Sequence, residues 1–577
     1  MGRTPQASQK EYTMIDARDV MVPMRDGVHL AADIFRPDSK EKFPALLAMS
    51  PYSKGVQSLP LPRQPENSPV HHTPIEAGNP EYFASRGYVH VIADVRGTGQ
   101  SEGEYLGWVS NQEAQDGYDL VEWIAAQPWC DGNVGMVGIS YYGTVQLVVA
   151  AQQPPHLKAI MPWNAPADFY REATHHGGIL QSFFHYLYVQ RSGGENSKSV
   201  TLKALSKDEI KRLVAKLKAD PDIQINPEYF TFLANPRKAP CFFDVLANPL
   251  DGPFYWERSP YTMYERIKTP FYARSGWWAY AHMHLVGAFR NYNGIDAPKK
   301  LEIDAPIVEP RPLPEEYNAE VLRWYDHWLK GINTGIMDEP NVRLFVQGAD
   351  EWLTGDTFPL PQTKFIPFNL HENHSLCEIE PWPEAESASF DDFPTNRGSL
   401  KYYTAPIVEN TEVAGPILLN LYASSRGTDM TLVITLSDVT QEGKETFLTH
   451  GYLKASHREL DIKKSKAWQA IYTHTNPKPL VPGQIYPLAI NLNPTAFLLK
   501  AGHRLGLKIS GADDEPDDLT KVKMNHLTSQ TPSTVTVHHN AQHPSHLLLP
   551  ITRGNIIGTY ASGGDISLKS KEFMKLE

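Results

Sequence analysis

Cysteine is scarce in this sequence: the 577 residues hold three, Cys130, Cys241 and Cys377, odd in number and far apart. That excludes a disulfide framework and a cysteine-built zinc site. Long apolar runs are missing as well. The stretch from Val145 to Ala151, with one glutamine inside, is typical, whereas a membrane span needs about 20 such residues. Positive charge is in short supply, with Lys+Arg 54 against Asp+Glu 66 and a formal net charge of −12. Nucleic acid and anionic membranes call for clustered Lys/Arg. The short group KKSK at 463–466 reads as a solvated turn, so neither partner is expected. The first fourteen residues, MGRTPQASQKEYTM, lack the apolar core of a secretion signal, and Gln6 breaks the myristoylation pattern. The expectation is a cytoplasmic protein.

What is present suits large folded cores: 41% hydrophobic and 21% charged residues. Val20 to Pro37 alternates around Asp26-Gly27, which predicts a hairpin. Short apolar runs follow at Ala45–Met49, Tyr88–Ala93 and Val134–Val137, with helical spacing at Gly117–Gln127 and Tyr141–Ala151. Strand alternating with helix implies a mainly parallel sheet covered on both faces. From 166 to 265 the pattern is helical and irregular, which predicts an inserted cap. The strand-helix rhythm then resumes, with a strong helix over Ala319–Lys330. After about 345 short strands take over, such as Ile417–Tyr422, Thr431–Leu436 and Arg504–Ile509, separated by Gly, Pro and Asn. The expected division is a mainly parallel α/β core at 1–165 and 266–345, a helical cap at 166–265, and a C-terminal all-β jelly-roll sandwich at 346–577.

The sharpest chemical signal is GMVGISYYG at 135–143, an apolar strand running through Gly138-Ile139-Ser140-Tyr141-Tyr142-Gly143 into a helix. A nucleophile elbow needs that context, although G-x-S-x-x-G is one residue off the usual G-x-S-x-G spacing. The helix start would direct the Tyr141 amide at an anion forming on a bound carbonyl. Tyr52, in the loop SPYSK after the first core strand, could donate its phenolic hydrogen to the same anion. The loop DVRGTGQSEG at 94–103 lacks a Walker lysine and reads as an ion-paired structural loop. No nucleotide or flavin signature occurs, so no cofactor is expected. His71-His72 and His175-His176 are adjacent pairs whose side chains point apart, so no metal site is expected either.

These blocks resemble the CocE/NonD α/β-hydrolases, the cocaine esterase and X-prolyl dipeptidyl peptidase type. The likeness extends through MRDGVHLAADIFRP, SPYSKG, DVRGTGQSEG, the serine elbow, RWYDHWLKGINTGIMDEPNVRLFVQGADEW at 323–352, AGHRLGLKIS and TVHHNAQHPSHLLLP. It implies ester or amide hydrolysis through an acyl-serine, with Ser140 as nucleophile and Tyr141 and Tyr52 at the oxyanion hole. It also implies an aspartate in a G-W-Y-D block and a histidine in G-P-W-x-H. Here Ser275-Gly276-Trp277-Trp278-Ala279 puts an alanine at the acid position, and Val308 or Glu309 stands where the histidine is expected.

Losing the base of a serine triad costs on the order of 10⁶ in turnover, roughly 8 kcal/mol of barrier. Three readings therefore stay open. In the first, His282, His284 or Glu309 serves as a non-standard base. In the second, the oxyanion hole supports a cyclase, isomerase or C–C lyase reaction. In the third, the protein is a non-catalytic relic. His175, His176, Phe183, Phe184, Trp277 and Trp278 are expected as pocket walls, which implies a partly apolar small-molecule substrate. The sequence is compatible with a homo-oligomer.

Overall fold

The protein is described by a computed structural model over residues 7–57, 76–181, 196–224, 227–277, 281–305, 315–384, 387–513, 526–527, 529 and 531–554. Strands β1 (Met14–Pro23) and β2 (His29–Pro37) pair antiparallel across the Asp26-Gly27 turn, where Gly27 takes φ +86°. The remaining core strands are β3 (Phe43–Ser50), β4 (Val89–Asp94), β5 (Cys130–Met136), β6 (Leu157–Ile160), β7 (Phe271–Gly276), β8 (Lys299–Asp304), β9 (Val342–Val346) and β10 (Glu351–Gly355). They form one sheet in the order β1-β2-β4-β3-β5-β6-β7-β8-β9-β10. The pairings from β4 through β9 are parallel, and β1, β2 and β10 add antiparallel edges.

A parallel sheet covered on both faces needs strands that are apolar throughout, and every residue of β3 and β4 is buried. Successive side chains of a strand point to opposite faces. Ala45, Leu47 and Met49 of β3 join one core with Leu120, Val121 and Ile124 of α1 (Asn111–Ala125). Leu46 and Ala48 join the other with Val321, Leu322, Trp324 and Tyr325 of the later helix Glu315–Lys330. Helix α2 (Tyr141–Ala150), which leaves the β5 strand, is buried along its whole length. Helix α3 (Ala281–Gly294) follows β7.

The cap is inserted between β6 and β7. It begins with a π-helical turn at Phe169–Thr174 and a short hairpin of His175–His176 with Ile179–Leu180. Helices follow, among them Lys207–Lys218 and Pro240–Ala247. The C-terminal all-β domain is built on the long pair β11 (Thr411–Ser425) and β14 (Tyr486–Leu499), with β12 (Thr431–Val439), β13 (Glu445–Lys454) and β15 (Arg504–Ser510) beside them. Leu488, Ile490 and Leu492 of β14 point inward at every second position.

Cap and β domain are pinned together. Arg171 donates to the carbonyls of Tyr472 (2.8 Å) and Thr473 (3.2 Å), and Lys454 pairs with Asp222 at 2.9 Å. Among the described residues no helix is long and apolar enough to cross a membrane.

Candidate active site

The turn from β5 into α2 is tightly constrained. Gly138 takes φ +129°, and a Cβ there would lie 2.5 Å from Tyr142 Cβ. Ser140 itself takes φ 61° and ψ −112°, a conformation non-glycine residues seldom adopt. Strain of this kind is held only where the surroundings over-determine it. Here Ile139 N donates to Glu76 O (3.0 Å) and Ser140 N to Trp163 O (2.8 Å). The spacing of the second glycine has a packing cause. A Cβ on Gly143 would sit 2.5 Å from Trp163 O, so the close approach falls at 143, and position 142 is free to carry a buried tyrosine.

Ser140 Oγ lies 3.0 Å from His284 Nε2, and both side chains are buried. His284 reaches it from α3, which rides tightly on the chain leaving β6. A Cβ on Gly287 would be 2.3 Å from Ala165 O, and Asn291 Nδ2 donates to that same carbonyl at 3.1 Å. Arg290 then ties α3 to the π-helical turn through Glu172, Nε to Oε1 at 2.6 Å. Burial pushes the Glu172 carboxyl up to about 7, with Arg290 opposing that rise.

His282 goes elsewhere. Two residues along a helix is a rotation of about 200°, so the two imidazoles leave α3 on opposite sides. The His282 ring centroid is 4.0 Å from that of His176, 5.5 Å from Tyr452 and 6.2 Å from His450. His176 Nδ1 lies 2.8 Å from His526 Nε2, and His526 Nδ1 lies 3.0 Å from the Asp513 carboxylate. His175 stacks on Tyr170 at 4.6 Å and contacts Thr174 Oγ1 at 2.9 Å. These histidines fill the seam between cap and β domain. Trp277 donates its indole N–H to Phe345 O at 2.6 Å. Phe183, Phe184, Trp278, Ala279, Val308 and Glu309 lie outside the described residues.

Tyr52 follows β3, and its ring stands edge-on to Tyr141 (5.7 Å) and Tyr142 (6.2 Å). Tyr141 opens α2, which puts its amide at the positive end of that helix. Sequence reasoning missed the setting of the Tyr141 side chain. Its hydroxyl donates to Glu113 Oε2 at 2.6 Å, accepts from Val109 N at 3.0 Å and lies 3.3 Å from the Tyr105 hydroxyl. The signal available was the S-x-x-E pattern at Ser110–Glu113, which marks a helix start and says nothing of a tyrosine far away in sequence. The 94–103 loop is ion-paired: Arg96 meets Asp26 (2.7 Å) and Asp116 (2.6 Å). Among the described residues no group of three or more His, Cys, Asp or Glu is arranged to hold a metal ion.

A strained serine on a strand-helix turn, an imidazole on its hydroxyl and a helix-start amide beside it can carry out acyl transfer. Comparison with known proteins points the same way. Residues 26–305 match the X-Pro dipeptidyl-peptidase (S15 family) model, and residues 334–548 match the X-Pro dipeptidyl-peptidase C-terminal non-catalytic domain. A CocE/NonD family hydrolase from Staphylococcus aureus, solved as a crystal structure, superposes with a TM-score of 0.75 at 25% identity, over 93% of this chain and 94% of that one. The chain belongs to the CocE/NonD family of α/β-hydrolases. It is 28% identical to the cocaine esterase of a Rhodococcus species, over 93% of this chain and 98% of that protein. It is 26% identical to a putative serine esterase of Mycobacterium tuberculosis, over 92% of this chain and 94% of that one. This CocE/NonD member is therefore an enzyme of hydrolase type, with an α/β-hydrolase core and a C-terminal β-rich domain.

Proposed function

We propose that this enzyme hydrolyses a small, partly apolar ester, or a related amide, through an acyl-enzyme on Ser140 with His284 as the base. The observation that carries the reading is the 3.0 Å approach of His284 Nε2 to Ser140 Oγ. In the first step Ser140 Oγ attacks the substrate carbonyl while its proton passes to His284 Nε2. The tetrahedral oxyanion is received by the Tyr141 amide and the Tyr52 phenol. As the carbonyl re-forms, the leaving alcohol or amine departs with the proton from His284. Water then attacks the acyl-serine while one of its protons passes to His284 Nε2. As the tetrahedral intermediate collapses, the Ser140 Oγ–acyl bond breaks, His284 returns the proton to Ser140 Oγ, and the acid is released. The esterase names of the relatives support an ester as the first substrate to try. His284 takes the base role in place of the histidine that family likeness would put near 308–309.

A fluorophosphonate probe tests the proposal. Wild-type protein should label at Ser140, and Ser140→Ala should abolish labelling. His284→Ala should slow labelling by at least about 10³-fold. A wild-type protein that fails to label at any pH would overturn an activated serine. In the same preparations Tyr52→Phe should cut turnover about 10²- to 10³-fold, as loss of one oxyanion donor does elsewhere.

A further inference from the structure

Glu113 is buried, sits outside the serine-histidine pair, and takes no part in the chemistry described so far. We propose that Glu113 is a positioning residue of the oxyanion hole, holding the Tyr141 backbone amide in place through the Tyr141 side chain. The inference rests on the acyl-serine reading above and deepens it.

The Tyr141 side chain is fully buried, and its hydroxyl has three polar neighbours. A phenol has one proton and two lone pairs. The proton goes to Glu113 Oε2 at 2.6 Å, one lone pair takes the Val109 amide at 3.0 Å, and Tyr105 stands at the other, 3.3 Å away. The second carboxyl oxygen, Oε1, accepts from Ser110 N at 3.1 Å. Val109 is held at φ 35°, a strained backbone for a β-branched residue. Trp108 stands edge-on to the Tyr141 ring at 5.1 Å and stacks on Phe169 of the cap at 5.1 Å. The first residue of α2 is thus gripped by its side chain at the far end from the amide that would meet the oxyanion.

The same chain supplies an internal comparison. Ser206 and Glu209 form a second capping box, with the glutamate exposed and its carboxyl held below the usual range by hydrogen bonds from Ser206. Capping a helix therefore needs no burial. Glu113 makes the same cap but is buried, and burial pushes its carboxyl up to about 8. Among the described residues no cation forms an ion pair with it. The groups facing it are Tyr141 of α2, Tyr105 and Ser110 of the preceding loop, Asp116 of its own helix, and Arg258 and Cys241 of the cap. What distinguishes the two boxes is the contact with Tyr141. A carboxyl kept neutral leaves the oxyanion undisturbed, and its ionisation puts negative charge one phenol away from it.

The test combines steady-state kinetics on an aryl ester with fluorophosphonate titration, so that rates are counted per competent Ser140. Glu113→Ala should lower kcat about 10- to 100-fold with KM nearly unchanged, as misplacement of a reacting group does. Tyr141→Phe should fall in the same range. Glu113→Gln should recover most of the neutral-pH rate and lose the fall in kcat that the wild type shows as pH rises through about 8. Glu209→Gln, the exposed counterpart, should leave kcat unchanged. If wild type titrates with the probe while both Glu113 variants keep its kcat and its alkaline fall, the inference is overturned and the acyl-serine reading stands. If wild type itself does not titrate, both are overturned.

Discussion

Gly143 shows how a single hydrogen atom can decide the local fold. A methyl group there would meet the Trp163 carbonyl oxygen at 2.5 Å, and that carbonyl already accepts from Ser140 N. Backbone cannot step aside as a long side chain can, so Gly143→Ala should destabilise the protein by about 2 kcal/mol or more. The denaturant midpoint measures this, and activity should fall with it because Ser140 is displaced. Gly27 gives the contrast: a Cβ there would meet nothing within 4 Å, so its φ of +86° alone requires glycine. At this scale the sequence was informative about Ser140, because an elbow is a local pattern. It left His282, His284 and Glu309 open, because which of two histidines on one helix meets a distant serine depends on how that helix is rotated. The packing of Gly287 on Ala165 O and of Asn291 on the same carbonyl sets that rotation.

Helix α3 is the element on which the site depends. Its far end is tied to the π-helical turn of the cap by Arg290 and Glu172 at 2.6 Å, with Asp168 at 3.7 Å from the same guanidinium. Removing one member of a buried pair leaves the other charge without its partner. Arg290→Leu should therefore lower stability by about 3 kcal/mol. Pairing it with Glu172→Gln should cost less than the two single changes added, read from urea midpoints in a double-mutant cycle. A fall in kcat larger than the loss of folded protein would show that the tie also positions His284. Most core elements were legible from periodicity: the helix expected from Ala319 to Lys330 is observed at Glu315–Lys330, and the apolar run at Tyr88–Ala93 is the strand Val89–Asp94. Helix α1 begins earlier than expected, at Asn111, because the Ser110–Glu113 capping box rather than apolar spacing sets its start. Strands β13 and β14 were not foreseen: in β13 Thr449, His450 and Gly451 interrupt the apolar residues, whereas in β14 Leu488, Ile490 and Leu492 alternate with Ala489, Asn491 and Asn493, a signal that sequence reasoning missed.

At the scale of the molecule, the seam between cap, α3 and the β domain is filled with histidine. Burial holds His176, His282 and His474 well below the usual imidazole range, and His450 and His457 at about 4 and His175 at about 3. In the unfolded chain these groups titrate near 6.5. Between those values the unfolded state binds protons that the folded state refuses, so stability is complete above about pH 6.5 and is lost as pH falls below it. Each such histidine adds a slope of about 1.4 kcal/mol per pH unit. Thermal unfolding followed from pH 7.5 to 5 should show a steep fall, shallower in His450→Gln. A flat profile would mean that the seam opens to water. None of this grouping was legible beforehand, since His176, His282, His450 and His526 come from four separate segments that meet only when the domains dock. The domain order itself was legible, because strand-helix rhythm and short turn-bounded strands are properties of each segment on its own.

The most direct measurement is the pre-steady-state acylation rate with an activated aryl ester, compared between His284→Gln and His282→Gln. The expected result is a fall of at least about 10³-fold for His284→Gln and a rate within a few-fold of wild type for His282→Gln. Equal losses in the two variants, or a His284→Gln enzyme that still acylates at nearly the wild-type rate, would contradict an active site in which His284 takes the proton of Ser140.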